Sequence, residues 1–142
     1  MTDNQNRIYL FVHIIWSVHN REPLLSKPIR ALLFPHIQKR AAEKGIQVIA
    51  INGVEDHVHT LIQLHPAQNL TQVVRSIRTD AMEWVNEIRM VNTHFQWEEH
   101  YAALSVNPST LKQVTDYIGR QEEYHKTKTL ESELEVFDKI QQ

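Results

Sequence analysis

Four apolar, β-branched runs alternate with two stretches of helically spaced apolar residues in the order βαββαβ, and further helices follow. That order predicts an α+β fold, a ferredoxin-like (RRM-like) antiparallel sheet. The second and third runs lie so close in sequence that only a hairpin around Glu55-Asp56 can join them. Right-handed crossovers then set the topology, with the helices expected on one sheet face.

Residues 8–18 are densely β-branched and aromatic, as a central strand requires. Trp16 is expected in the core, and His13 as a buried, hydrogen-bonded histidine. Ser26 followed by Pro28 reads as a helix start, because serine caps the first turn and proline is tolerated in it. Ile29, Leu32, Leu33, Ile37 and Ala41 keep helical spacing, and Lys44-Gly45 ends the helix. Pro35 should kink or restart it. Residues 46–54 and 57–64 are the hairpin strands. Asn69 caps a second helix reaching about residue 88. Residues 89–100 read as irregular, with Trp97 expected in the core, and 101–106 as the fourth strand. Asn107-Pro108-Ser109 opens a third helix through residue 126, and the acidic stretch 130–140 forms a last one. The chain reads as one domain, residues 1–142, with a core at 7–106 and a helical tail at 107–142.

Composition narrows the function classes. Hydrophobic content of 42% and charged content of 23% are ordinary for a globular protein. Cysteine is absent, which excludes disulfides and thiolate chemistry and points to a reducing cytoplasm. No apolar run reaches the length of a membrane span, and no signal peptide opens the chain. The three glycines are scattered, so neither a phosphate-cradling loop nor a nucleotide cofactor is expected. Net charge is −2, with the acid concentrated in Glu131, Glu133, Glu135 and Asp138. That balance gives no global pull toward a polyanion, although the basic residues cluster ahead of the acidic run.

The chemistry-bearing residues fall in two places. On a strand His57 and His59 share a face, and two imidazoles can grip a divalent cation if a third ligand arrives from elsewhere. Taken alone, such a pair is as often two ordinary strand histidines. Downstream, Tyr117 and Gln121 lie four apart on one helix face. Gln121 could supply an oxygen ligand, and Tyr117 could reach a substrate polarised by the cation. A mixed nitrogen and oxygen set suits Mg2+ or Mn2+ better than zinc. An isolated tyrosine here is more often a core residue with its hydroxyl at the rim. Gly119 inside the helix costs about 1 kcal/mol relative to alanine, which points to a close approach there.

His57-Val58-His59 resembles the HUH motif, and Tyr117-Ile118 followed by Gln121 is similar to the tyrosine helix of the single-tyrosine HUH transposases of bacterial insertion sequences. That group includes the REP-associated tyrosine transposases. The likeness runs through nearly the whole chain, from Val12-His13-Ile14-Ile15-Trp16-Ser17 and Arg21 with Pro23-Leu24-Leu25, through Gly53-Val54, to Phe95 and Trp97 with Tyr101-Ala102 and Ser105-Val106. Three positions depart from the family pattern. His100 stands where a glycine is usual, Arg78-Thr79-Asp80-Ala81 replaces a Lys-Gly-Ser-Ser-like patch, and Tyr124-His125 replaces a histidine pair.

The resemblance implies a DNA transposase that cleaves and rejoins single-stranded DNA at hairpin-marked ends through a 5′-phosphotyrosine intermediate. Its implied parts are Tyr117 as nucleophile, with Tyr124 a decoy, and His57, His59 and Gln121 around Mg2+ or Mn2+. Arg75, Arg78, Lys39 and Arg40 would contact phosphates, although each also reads as a solvated helix face. The resemblance further implies a homodimer in which the tyrosine helix of one subunit completes the metal site of the other. The short tether at Asn107-Pro108-Ser109 leads to the same expectation. Three rivals stand beside this reading. They are an inactive or domesticated protein that only binds nucleic-acid hairpins, a sheet-face RNA binder, and a metal-dependent phosphodiesterase that uses water.

Overall fold

Strand alternation decides which side chains face the site. A computed structural model describes residues 6–140 and, within its last helix, every side chain except those of Phe137, Lys139 and Ile140. In β1 (Phe11–Val18), Ile14, Trp16 and Val18 enter the main core, while Phe11 joins a second apolar cluster on the opposite face. The hairpin β2 (Gln47–Gly53) and β3 (His57–Gln63) follows the same rule, with Val58 and Ile62 in the main core and Leu61 in the second cluster. With β4 (Trp97–Val106) the sheet order is β2-β3-β1-β4, and each neighbouring pair is antiparallel.

Two helices cover the main-core face. The first, α1 (Lys27–Glu43), starts after Ser26 and ends in the way glycine permits. Gly45 takes φ +75, and the Gly45 and Ile46 N–H groups close back on Ala42 and Ala41 at 3.0 and 2.8 Å. Pro35 lies inside the helix and does not restart it. The second, α2 (Leu70–Glu87), is capped by the Asn69 side chain, which accepts from the Gln72 N–H.

Four expectations are corrected. The fourth strand begins at Trp97 rather than 101, because Trp97 pairs with Val18 across a bulge and donates its indole N–H to the Arg78 carbonyl at 2.9 Å. The first strand begins at Phe11 rather than residue 8. The expected third helix breaks at Arg120 (φ −106, ψ 25) into α3 (Leu111–Gly119) and α4 (Gln121–Tyr124). Gly119 ends α3 with open space around it, so its role is to end the helix and not to allow a close approach. The close approach is at Gly53, where a Cβ would lie 2.3 Å from the His57 carbonyl oxygen. The expected last helix is present as α5 (Leu130–Ile140).

Helices also lie on both faces of the sheet. A short turn at Pro108–Thr110 reverses the chain after β4, and α3 packs across β2 and β3 with Ile118 in the second apolar cluster. Asn52 of β2 fastens the end of α3 by donating to the carbonyls of Ile118 and Gly119 at 3.0 and 3.2 Å.

Candidate active site

The site grows from the face of β3 turned toward α3. His57 and His59 are 1% and 0% exposed, with ring centroids 5.2 Å apart. The tight hairpin places Asp56 beside His57, whose Nδ1–H donates to the Asp56 carboxylate at 2.7 Å. Arg21 holds the other oxygen of that carboxylate at 3.1 Å and reaches Glu131 at 2.6 Å. Burial works against the Asp56 charge, but the His57 hydrogen bond and then Arg21 carry its pKa below the ordinary carboxylate value.

Two elements after β4 bring the remaining donors. From the chain just past α4, His125 donates Nδ1–H to the Lys128 carbonyl at 2.8 Å, which turns its Nε2 to within 3.0 Å of His57 Nε2. From α5, Glu133 brings Oε1 to 3.2 Å from His59 Nε2 and 3.4 Å from His125 Nε2. The ligand atoms of His57, His59, His125 and Glu133 all lie within 4.8 Å of one another. Gln121 is fully buried, and its Oε1 is 3.0 Å from His125 Nε2.

The protonation states argue for a cation. With Nδ1–H committed to Asp56 and to Lys128, Nε2 is the atom His57 and His125 have left to coordinate with, and these two nitrogens face each other and the Gln121 oxygen. His59 Nε2 and Glu133 Oε1 are buried with no hydrogen-bond partner. Converging acceptors with nothing to donate between them are costly in a low-dielectric interior, and a divalent ion satisfies all of them at once. The residues present therefore fit a metal ion.

Burial, and then the neighbouring charges of His57 and His125, hold His59 well below its ordinary pKa. Burial lowers His125 as well. Burial pushes the Glu133 carboxyl up to about 7, against the pull of His57. In the metal-free protein an unfolded chain loses the Glu133 proton before the folded one does. Stability should therefore fall, by on the order of 3 kcal/mol, as pH rises from the ordinary carboxylate value to about 7. Urea unfolding across that range, with chelator present, should show the slope in the native protein and its loss in Glu133→Gln.

Tyr117 borders this cluster. Its ring meets His59 edge-on at 5.8 Å between centroids and His13 at 6.2 Å. A cavity of about 290 Å³ lies beside it, lined by His13, Val114, Tyr117, Tyr124 and Glu133. Tyr124 stands edge-on to Tyr117 at 5.4 Å. The structure thus brings His57, His59, Gln121 and Tyr117 together within one chain. The argument that a short tether keeps Tyr117 from its own histidines fails, because the turn at Pro108–Thr110 sends α3 back over β2 and β3.

The four basic residues are not gathered here. They lie on α1 and α2, in the layer across the sheet. Arg40 is held by Asp80 and Glu43. Arg78 gives its Nη donors to the carbonyls of Glu98 and Glu99, tying α2 to β4. Lys39 and Arg75 are exposed, and Arg75 lines a groove of about 430 Å³ with Thr71, Arg78, Trp97 and Tyr101.

Sequence reasoning missed His125 and Glu133 as members of the cluster. His125 was legible only as the neighbour of Tyr124. For Glu133 a signal existed, since Leu130, Leu134 and Phe137 set an apolar helix face that includes position 133.

Comparison with known proteins agrees with this fold. A solved structure described as a putative transposase from Deinococcus radiodurans R1 superposes with a TM-score of 0.66 at 20% identity, over 85% of this chain and 98% of that one. The structure of a REP-associated tyrosine transposase bound to a REP hairpin superposes with a TM-score of 0.62 at 16% identity, over 87% of this chain and 74% of that one. In sequence, the ISDra2 transposase TnpA of Deinococcus radiodurans is 28% identical over 119 residues, covering 77% of this chain and 81% of that protein. The model of the family described as "Transposase IS200 like" matches residues 7–121, a stretch that spans the sheet, both histidines of β3, Tyr117 and Gln121, and the chain belongs to that family of transposases.

Proposed function

We propose that this transposase cleaves and rejoins single-stranded DNA at hairpin-marked ends, with Tyr117 as the nucleophile and a divalent cation held by His57, His59, His125 and Glu133. The observation that carries the reading is the position of Tyr117, edge-on to His59 at the border of a buried cluster of unpartnered acceptors. The hairpin is supported by the REP-associated neighbour, which was solved on one.

The Tyr117 phenol oxygen attacks the phosphorus and gives up its proton. The bond from phosphorus to the 3′ oxygen breaks, which leaves a 5′-phosphotyrosine and a free 3′-hydroxyl. A second 3′-hydroxyl reverses the step. The phosphodiester energy is kept in the tyrosine link, so the exchange needs no nucleotide. When bound, the cation supplies charge that offsets what gathers on the non-bridging oxygens. Gln121, from α4, stands by as a further oxygen donor at His125. Three imidazoles in the donor set favour Mn2+ over Mg2+, which prefers oxygen. Asn52, by gripping the end of α3, holds the tyrosine in place. Lys39 and Arg75 are the exposed candidates for phosphate contacts, while Arg40 and Arg78 brace the layer behind them.

The working unit is a homodimer, because strand exchange needs two ends at two sites. The docked α3 favours each site being built within one subunit. Incubation with Mn2+ and a hairpin-bearing oligonucleotide should give a denaturation-resistant protein–DNA adduct. A gel shift alone would leave only a hairpin-binding protein, and cleavage without an adduct would indicate water as the nucleophile. Mixing His57→Ala with Tyr117→Phe subunits should restore no activity. Restored activity would place the two residues in different subunits.

A further inference from the structure

We infer that His13 is a positioning residue of the cation site: it accepts the His59 Nδ1–H and so fixes the ring form that turns the His59 Nε2 lone pair toward the ion. The inference rests on the cation site proposed above, and it assigns a function to a residue outside the ligand set.

The argument starts from the three imidazoles. Each presents Nε2 to the cluster, and each can do so as a neutral ligand only if Nδ1 carries the proton and has somewhere to donate it. His57 donates to a carboxylate, Asp56, and His125 to a backbone carbonyl, that of Lys128. Both acceptors are unambiguous, because neither can donate in return. For His59, the partner of Nδ1 is His13 Nε2 at 2.8 Å. An imidazole nitrogen can donate or accept, so this contact allows two arrangements.

The other side of the His59 ring decides between them. If His13 were the donor, a neutral His59 would carry its proton on Nε2 and point it at the cluster. Glu133 Oε1 is 3.2 Å from that nitrogen, an ordinary hydrogen-bonding separation, yet neither atom makes a hydrogen bond. A proton on Nε2 would be spent on nothing in a site where His59 is 0% exposed. With the proton on Nδ1 the same orphaned Nε2 becomes a ligand lone pair. His13 is then the acceptor.

The sheet register explains why a histidine takes this place. His59 pairs with Ile15 across β1 and β3, and His13 lies two residues along β1 on the same face, which is the diagonal position that long side chains span. The rings tilt at 33° with centroids 5.1 Å apart. A residue on the neighbouring strand therefore does for His59 what the adjacent Asp56 does for His57.

The test uses Co2+ and Mn2+ as probes on the full chain. His13→Leu keeps bulk and removes the acceptor, while His13→Gln keeps an acceptor near the Nε2 position. Co2+ affinity, read from its visible absorption, should fall roughly 10–100-fold in His13→Leu and recover most of that loss in His13→Gln. Without metal His13→Leu should melt below the native chain, because the buried His59 Nδ1–H loses its acceptor, and His13→Gln should recover that loss. Native affinity in His13→Leu, or an equal loss in both variants, overturns the inference. Should His13→Leu fail to fold, the native protein still decides the matter. Nitrogen-15 spectra of the metal-free imidazoles should show His59 protonated at Nδ1 and His13 unprotonated at Nε2, and the opposite pattern overturns the inference. If the native chain takes up neither ion, the cation site itself falls, and His13 with it.

Discussion

Tyr117→Phe should abolish the covalent adduct and reduce strand cleavage by at least about 10⁴-fold, the scale on which removal of a covalent nucleophile acts. Hairpin affinity should stay within about twofold, because a single hydroxyl carries the chemistry and little of the binding. The ring itself stays, so the edge-on contacts with His59 and Tyr124 survive and the fold is not in question. Tyr124→Phe is the matched control. Tyr124 faces the same cavity as Tyr117 and lies next to His125, so sequence alone leaves it a rival. Its variant should retain the adduct. A reversed result, with Tyr124→Phe dead and Tyr117→Phe active, would move the nucleophile by two turns of chain and break the reading of α3.

The second large effect belongs to the histidines. His59→Ala and His57→Ala should each weaken Mn2+ binding by more than about 100-fold, beyond what loss of an outer partner costs. Native protein at a hundredfold excess of Mn2+ over its Kd should gain about 2.7 kcal/mol of stability, a rise of a few degrees in melting midpoint. Neither variant should show that rise, and chelator should remove it from the native chain. A metal-induced shift that persists in both variants would place the ion elsewhere.

The sequence showed most clearly those features that rest on local chemistry. The pairing of His57 with His59 follows from a period of two, and Asn69 caps its helix as its side chain predicts. What escaped depends on distant partners. Glu98, Glu99 and His100 have the polarity of a loop, yet they form an edge strand because β1 offers Val18 and Trp16 to pair with. The break at Arg120 is one residue long and leaves Gln121 buried, which helix spacing alone does not foresee. Glu133 reads as one acid among several in a solvated run, because a count of charges does not register which one turns inward. The trans arrangement was favoured from tether length, and a single reversing turn removed the premise.

The span between His59 and Glu133 also sets a clock on the newly made chain. The hairpin of β2 and β3 needs only its own residues, whereas the carboxylate that closes the cluster is translated much later. At about 5–20 residues per second, that delay lasts roughly 4 to 15 seconds. During it the paired imidazoles lack both His125 and Glu133, so a nascent chain emerging beside other metal-binding polypeptides competes for ions with an incomplete grip. On the proposed cation site, ion capture would thereby wait until the chain past α4 and helix α5 have docked.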